Sequence, residues 1–190
     1  MSQVVDHPLA AGNLLVLPNV ETPPVPGERV GDVAWYVPYT QLHPRTVEAA
    51  PVDAIWADVS SGPNAYFHLL NQIWAAGQTF ALLEHDVVCR PDIINEFETC
   101  PEPWCMYIYS DLCCPGCREA WRNHIGCTRF RAELMQAVPD AVASIPEGER
   151  DWHNLCDGVG NHLRAAGYSH HWHEPPVLHK QHINLETWLR

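Results

Sequence analysis

Short apolar runs punctuate the chain, and segments with helical spacing lie between them. The four runs cover residues 33–37, 52–57, 79–83 and 104–109. Continuous runs of this length are typical of strands that are covered on both faces, as in a parallel sheet. The alternation of strands and helices therefore predicts an α/β domain with a mostly parallel central sheet flanked by helices.

The helical segments are marked by apolar spacing and by residues that start or stop helices. Residues 65–76 carry the clearest pattern, with Asn64 in the N-cap position and Gly77 as the stop. Pro91 and Asp92 predict the start of another helix soon after the third apolar run. The other predicted helices are 43–50, one capped by Thr128, and one that runs from Asp151 to Gly167.

The length of 190 residues fits one domain with an appended segment. Residues 1–30 are rich in proline and predict an irregular N-terminal arm, which leaves residues 31–190 for the domain. Within the domain, residues 111–127 are rich in Cys, Pro and Gly and predict an inserted loop. The His- and Pro-rich C-terminal stretch is predicted to be extended.

The charge of the chain limits its partners. The formal net charge is -12, from 23 acidic and 11 basic residues, so phosphate backbones are not attracted at long range. Nucleic acid is therefore expected only as an acceptor, through a local basic patch. No apolar run is long enough to span a bilayer, and residues 1–12 lack the pattern of a signal peptide. A cytoplasmic protein without a membrane partner is expected, whose cysteines are free thiols or metal ligands.

Two acidic residues follow the third apolar run directly. Glu84 and Asp86 flank His85. In open α/β sheets, ligands bind beyond the carboxyl ends of the strands. If this segment is extended, Glu84 and Asp86 face one site while His85 points elsewhere. Hard divalent cations such as Mg²⁺ and Mn²⁺ prefer such oxygen ligands. Two solvated acids in a loop are the plainer interpretation of the same triplet.

The segment AGQTFALLEHDVVCRPDII resembles the metal-binding segment of the GT-A glycosyltransferases. In that family a strand ends in an Asp-x-Asp triplet or a variant, and a helix that often begins with Pro-Asp follows. Glu84 departs from the family pattern in the first acidic place. The resemblance implies a small GT-A-like (Rossmann-like) enzyme, of a kind found in phages or bacteria, that uses nucleotide-diphosphate sugars.

Other segments extend this resemblance over about residues 31–180. VAWYVPYTQLHPRTVEAA resembles the first strand and helix, where the nucleotide lies, so Tyr39 and Thr40 are expected to contact the donor. AIWADVSSG resembles the second strand, whose terminal acid is matched by Asp58. GCTRFRAELM resembles a segment near donor and acceptor, in which Arg129 is expected to pair with phosphate.

The resemblance also implies roles in metal binding and catalysis. A C-terminal His completes the metal site in the family, and His179 is the best match, with His173 and His182 as alternatives. A neutral imidazole suits Mn²⁺ better than Mg²⁺. DWHNLCDGVGNHLRAAGY resembles the Trp-Gly-x-Glu-Asp segment, with Cys156 in place of the Glu. Asp157 takes the Asp place and is expected to act as the base of an inverting transfer, although a solvated helix face explains it equally well.

A second group of metal-binding residue types lies in the predicted loop. Cys114, Cys117, His124 and Cys127 form a CxxC pair followed by HxxC. Four ligands of these types suit a tetrahedral structural Zn²⁺. Free thiols are the alternative.

The sequence therefore predicts a metal-dependent glycosyltransferase that moves a sugar from a nucleotide-diphosphate donor to a hydroxyl acceptor. UDP-sugars are the default donors of the family. The acceptor is left open: a glycan, a protein, a small molecule or a hydroxylated nucleobase in DNA. Two other functions remain open, a nucleotidyltransferase with the same acidic site and a zinc-stabilised binding or scaffold domain without catalysis.

Overall fold

An eight-stranded sheet organises the part of the chain that the computed structural model describes, which comprises residues 14–15, 33–109 and 124–179. The strand order is β1-β3-β2-β4-β7-β6-β8-β5. The strands are β1 (Leu14–Leu15), β2 (Ala34–Tyr39), β3 (Ile55–Asp58), β4 (Phe80–Leu83), β5 (Val87–Val88), β6 (Trp104–Tyr109), β7 (Cys127–Phe130) and β8 (His171–His179).

The sheet is mixed but mostly parallel. Strands β1, β3, β2 and β4 run parallel to one another, and β6 pairs with β8 in parallel. Strand β7 is antiparallel to both β4 and β6, and β5 is antiparallel to β8. The α/β class with a mostly parallel sheet, predicted from the apolar runs, is confirmed.

Strand β7 corrects the prediction that Thr128 caps a helix. Residues 127–130 are all buried between β4 and β6, and Phe130 pairs with Phe80 on one side and Trp104 on the other. Arg131 is still extended, with φ of -88° and ψ of 154°, so the helix begins only at Ala132. Aromatic packing across three strands therefore overrides the helical spacing of the local sequence.

Helices cover both faces of the sheet. They are α1 (Pro44–Ala49), α2 (Ala65–Ala76), α3 (Ile93–Thr99), α4 (Ala132–Ala137) and α5 (Trp152–Ala165), with a short 3₁₀ helix at Glu147–Glu149. The predicted bounds of α2 are confirmed, although Asn64 makes no side-chain cap hydrogen bond. The helix predicted to start at Pro91 and Asp92 is present as α3, which begins at Ile93. Asp151 caps α5 as predicted, because its Oδ1 accepts a hydrogen bond of 3.2 Å from the backbone N–H of Asn154.

Two hydrophobic cores lie on opposite faces of the sheet. Along β4, Phe80 and Leu82 belong to one core, whereas Ala81 and Leu83 belong to the other. The first core, under α2, α4 and α5, is called core A here, and the second, under α3, is called core B. Because both faces of β4 are covered, its sequence is a continuous apolar run.

Several predictions about organisation fall largely outside the described residues. Of the predicted arm at residues 1–30, only Leu14 and Leu15 are described, and they pair with Trp56 and Ala57 of β3. Most of the predicted loop at residues 111–127 lies outside the described residues, which omit 110–123. Among the described helices, none has the length and apolar character needed to cross a membrane.

Gly77 ends α2 in the left-handed conformation, with φ of 65°. An L-residue is disfavoured there by about 1 kcal/mol. We expect Gly77→Ala to lower the free energy of unfolding by about 1 kcal/mol in urea denaturation. Gly148→Ala is the matched control, since an added Cβ meets no atom within 4 Å at either glycine and the φ of Gly148 is not positive. Equal stability of the two variants would contradict the role of Gly77.

Candidate functional site

The acidic residues that follow β4 lie in a tight turn. The backbone oxygen of Glu84 accepts a 3.0 Å hydrogen bond from the N–H of Val87, and the N–H of Glu84 donates to the oxygen of Gly126 at 2.7 Å. The expected extended conformation is therefore replaced by a turn, here called the acidic turn (residues 84–87). Glu84 and Asp86 are only 5% and 6% exposed, so they are not two solvated acids in a loop.

Both carboxylates raise the pKa of Tyr66, a residue of α2. The phenol is 1% exposed. Burial raises the pKa of Tyr66 well above its usual value, and the nearby Glu84, Cys156 and Asp86 raise it further. Because Glu84 and Asp86 both influence this phenol, the turn directs two buried acids to one region beside α2. The sequence did not distinguish Tyr66 from the other core positions of α2.

His85 also belongs to this region, contrary to the expectation that it points elsewhere. Its ring lies 5.5 Å from the ring of Trp152 in an edge-to-face arrangement. Trp152 in turn lies 4.4 Å from the ring of Tyr66. His85 thus contacts Trp152, while Glu84 and Asp86 raise the pKa of Tyr66, the aromatic partner of Trp152.

A cavity of about 270 Å³ adjoins this aromatic pair. It opens at the edge where β2 and β3 end, which is the edge at which the acidic turn follows β4. Tyr66 and Trp152 form the wall nearest the acidic turn. The full lining consists of Thr40, Val59, Gly62, Pro63, Tyr66, Asp151 and Trp152.

Three of the residues predicted to bind a donor lie at this edge. Thr40 lines the cavity. Tyr39 pairs with Asp58 across β2 and β3, and burial followed by the Asp58 charge raises the pKa of Tyr39. Asp58 accepts a 2.8 Å hydrogen bond from the N–H of Ser60, and hydrogen bonding to Ser60 lowers the pKa of Asp58. The structure therefore brings Tyr39, Thr40 and Asp58 together.

Arg129, the fourth predicted donor-binding residue, lies elsewhere. Its side chain is 0% exposed and lies on the face of core B, since Arg129 pairs with Ala81 and Cys105. The guanidinium donates to the backbone oxygens of Glu102 at 2.7 Å and Cys100 at 2.9 Å. These hydrogen bonds hold the Arg129 side chain on the face of core B, and Arg129 is not among the residues that line the cavity.

Asp157, the predicted base, is exposed on α5. The first turn of the same helix supplies Asp151 and Trp152 to the cavity lining. The neighbouring Cys156 faces core A, where burial, then the charges of Glu84 and Asp157, raise the pKa of its thiol. Asp157 itself is not among the residues that line the cavity.

The register of β5 and β8 places one C-terminal histidine beside the acidic turn. His179 is the cross-strand partner of Val87, the residue after Asp86. The alternative His173 lies near Phe97 and Tyr107 of core B, at ring distances of 5.8 Å and 5.1 Å. The other alternative, His182, lies outside the described residues.

Cys100, Cys105 and His173 form a cluster that could hold a metal ion. One ligand atom from each residue lies within 4.8 Å of the other two. Burial lowers the pKa of His173 to about 4, with further contributions from His171 and Arg129, so the imidazole is neutral at neutral pH. The sequence-based prediction missed this cluster because its members come from the end of α3, from β6 and from β8. The closely spaced Cys100 and Cys105 were the only local signal.

The predicted zinc set at residues 114–127 is only partly described. Cys114 and Cys117 lie outside the described residues. Cys127 is buried in β7, where burial raises the pKa of its thiol and Cys89 adds to the shift. His124 is partly buried just before that strand.

Comparison of the chain with family models, with curated proteins and with solved structures finds no match. Functional conclusions therefore depend on the residues and geometry of this chain.

The environment of Tyr66 predicts its titration. Between about pH 10 and 11, exposed tyrosines form phenolates, whereas the raised pKa keeps Tyr66 protonated. Ultraviolet titration should therefore detect equal numbers of phenolates in the folded wild type and in Tyr66→Phe. After denaturation the wild type should show one more phenolate, which serves as the internal control. One extra phenolate in the folded wild type would contradict the described environment.

Proposed function

We propose that the protein is a metal-dependent glycosyltransferase with a GT-A-like domain, which moves a sugar from a nucleotide-diphosphate donor to a hydroxyl acceptor. The proposal is carried by one observation. The turn that buries Glu84 and Asp86 is paired, through Val87, with His179 from the far end of the chain. Two carboxylates and a histidine are thus adjacent in the fold although only the carboxylates are adjacent in sequence.

The donor set fits a divalent cation. Buried carboxylates are costly unless positive charge, protons or hydrogen bonds compensate them. Glu84 and Asp86 both influence the pKa of Tyr66, which supports their convergence on one region. Two oxygen ligands and one imidazole suit Mn²⁺, with Mg²⁺ as the alternative. In this proposal Glu84, Asp86 and His179 hold the ion.

The cavity supplies a place for part of the donor. Its volume of about 270 Å³ is close to the lower end of ligand pockets, about 300 Å³, and would accommodate a base or a sugar rather than a whole nucleotide sugar. Thr40 offers a hydroxyl, and the partly exposed Trp152 offers aromatic surface. Tyr39 and Asp58, at the adjoining strand ends, are the further polar contacts that we assign to the nucleotide.

The transfer needs charge compensation at the leaving group and a base at the acceptor. A bound cation would supply positive charge opposite the negative charge that develops on the departing diphosphate. The acceptor hydroxyl would lose its proton to a carboxylate, for which we propose Asp157, with inversion at the sugar carbon. Asp151 lines the cavity directly, but its Oδ1 already accepts from the N–H of Asn154. Asp157 takes the place of the catalytic Asp in the resemblance to the family segment, and on that ground we place it ahead of Asp151 as the base.

The acceptor is proposed only as a hydroxyl group, on a glycan or on a hydroxylated nucleobase. The net charge of -12 disfavours DNA unless a local basic surface offsets it. Arg129, the arginine predicted to pair with phosphate, is fully buried and its guanidinium is bonded to backbone oxygens. This burial makes a glycan the better candidate.

Calorimetric titration with UDP and UDP-sugars, with and without Mn²⁺, tests the donor site. We expect nucleotide binding that requires Mn²⁺ and that weakens at least about tenfold in Asp86→Asn, because a charged ligand is lost. Asp140→Asn, which alters an exposed acid paired with His162, should bind as the wild type does. Binding that is independent of both Mn²⁺ and Asp86 would contradict the proposed metal site.

The role of His179 is tested separately through the affinity for Mn²⁺. In the presence of UDP, His179→Gln should weaken Mn²⁺ binding about 10- to 100-fold while the circular dichroism spectrum stays unchanged. His68→Gln, on the exposed face of α2, is the control and should leave the affinity unaltered. An unchanged affinity in His179→Gln would remove this histidine from the proposed ligands.

A further inference from the structure

We propose that Cys100, Cys105 and His173 bind one zinc ion that fixes β8 against β6 and the end of α3. The cluster belongs to core B, on the other face of the sheet from Tyr66 and Cys156. It is therefore a second metal site, separate from the one proposed at the acidic turn. It stands whether or not the protein is a glycosyltransferase.

The spacing of the three side chains is close to that of a zinc site. Zn–S bonds of about 2.3 Å and Zn–N bonds of about 2.0 Å place the ligand atoms of a tetrahedral site roughly 3.5–3.8 Å apart. The atoms offered by Cys100, Cys105 and His173 lie within 4.8 Å of one another. Closure around an ion thus needs shifts of about 1 Å, which small side-chain rotations provide.

The two ring nitrogens of His173 have different surroundings. Its Nδ1 atom lies 3.8 Å from Oε2 of Glu96. Its Nε2 atom is inaccessible to solvent and has no hydrogen-bond partner in the described ranges. The ring is stacked on Tyr107 at 5.1 Å with an interplanar angle of 23°. Zinc-bound histidines commonly direct their second nitrogen to a carboxylate, so we assign Nε2 to the metal and Glu96 to the orientation of the ring.

Two arginines lie beside the cysteines of this cluster. The backbone oxygen of Cys100 accepts hydrogen bonds from Arg129 at 2.9 Å and from Arg131 at 2.6 Å, which fix the cysteine at the end of α3. Arg129 also neighbours Cys105 across β6 and β7. Burial raises the pKa of the Cys105 thiol and the Arg129 guanidinium lowers it, so Arg129 offsets part of the cost of burying a metal-bound thiolate.

The ligand types select the metal. Two thiolates and an imidazole suit Zn²⁺ and not Mg²⁺ or Mn²⁺, which prefer oxygen. Three protein ligands leave the fourth position to water or to another group. The zinc would hold His173, near the start of β8, against the end of α3 and against β6. The far end of the same strand carries His179.

The test measures zinc in protein purified without chelators. To separate this site from the predicted set at residues 114–127, the Cys114→Ser/Cys117→Ser double variant serves as the parent. We expect the parent to retain about one equivalent of zinc, and Cys105→Ser or His173→Gln in that parent to lose it. Cys156→Ser, which alters a buried thiol of core A, is the control and should keep the zinc.

Replacement of zinc by Co²⁺ in the same parent keeps the test decisive if the variants fold poorly. Co²⁺ should produce thiolate-to-cobalt charge-transfer absorption, and X-ray absorption should report two sulfur ligands and at least one nitrogen. The proposal is overturned if the folded parent contains no zinc and gives no thiolate–cobalt band. It is overturned equally if Cys100 and Cys105 are found as a disulfide, or if Cys105→Ser keeps its zinc.

Discussion

The burial of two carboxylates at the end of a covered strand is the constraint on which the site depends. Because β4 is buried on both faces, the chain that leaves it is still in the interior when it reaches Glu84 and Asp86. Acids in such a place need compensating charge, protons or hydrogen bonds. Three elements surround the two acids. Helix α2 supplies the phenol of Tyr66, α5 supplies Trp152, and β8 pairs with the turn at His179.

Much of the fold could be predicted because its strands and helices carry local signals. The strands β2, β4 and β6 are short continuous apolar runs, and α2 ends at a glycine in the left-handed conformation. Strand β7 could not be predicted, since its four residues become a strand only through pairing with β4 and β6. The position of Glu84 and Asp86 directly after a buried strand was predictable from the third apolar run, whereas the turn that they form was not. Tyr66 and Trp152 were not, because their sequence positions are those of ordinary core residues.

Strand β8 links the two proposed metal sites. Near its start His173 faces two cysteines of core B, and at its end His179 lies opposite Val87 of the acidic turn. The ligand types differ in hardness, with thiolates at one site and carboxylates at the other, so each site selects its own metal. An ion at the first site would order the strand that carries a ligand of the second. Because His173 lies in β8, far along the sequence from Cys100 and Cys105, the spacing of residues did not indicate this cluster.

The most direct measurement is the site-resolved paramagnetic broadening of NMR signals by Mn²⁺ in the presence of UDP. The account predicts that substoichiometric Mn²⁺ broadens the backbone signals of the acidic turn, of Tyr66 and of Thr40. It predicts that signals of Cys100, Cys105 and His173 remain sharper than these. Broadening centred on the cysteine cluster, or none at the acidic turn, would contradict the claim that Glu84 and Asp86 bind the catalytic metal.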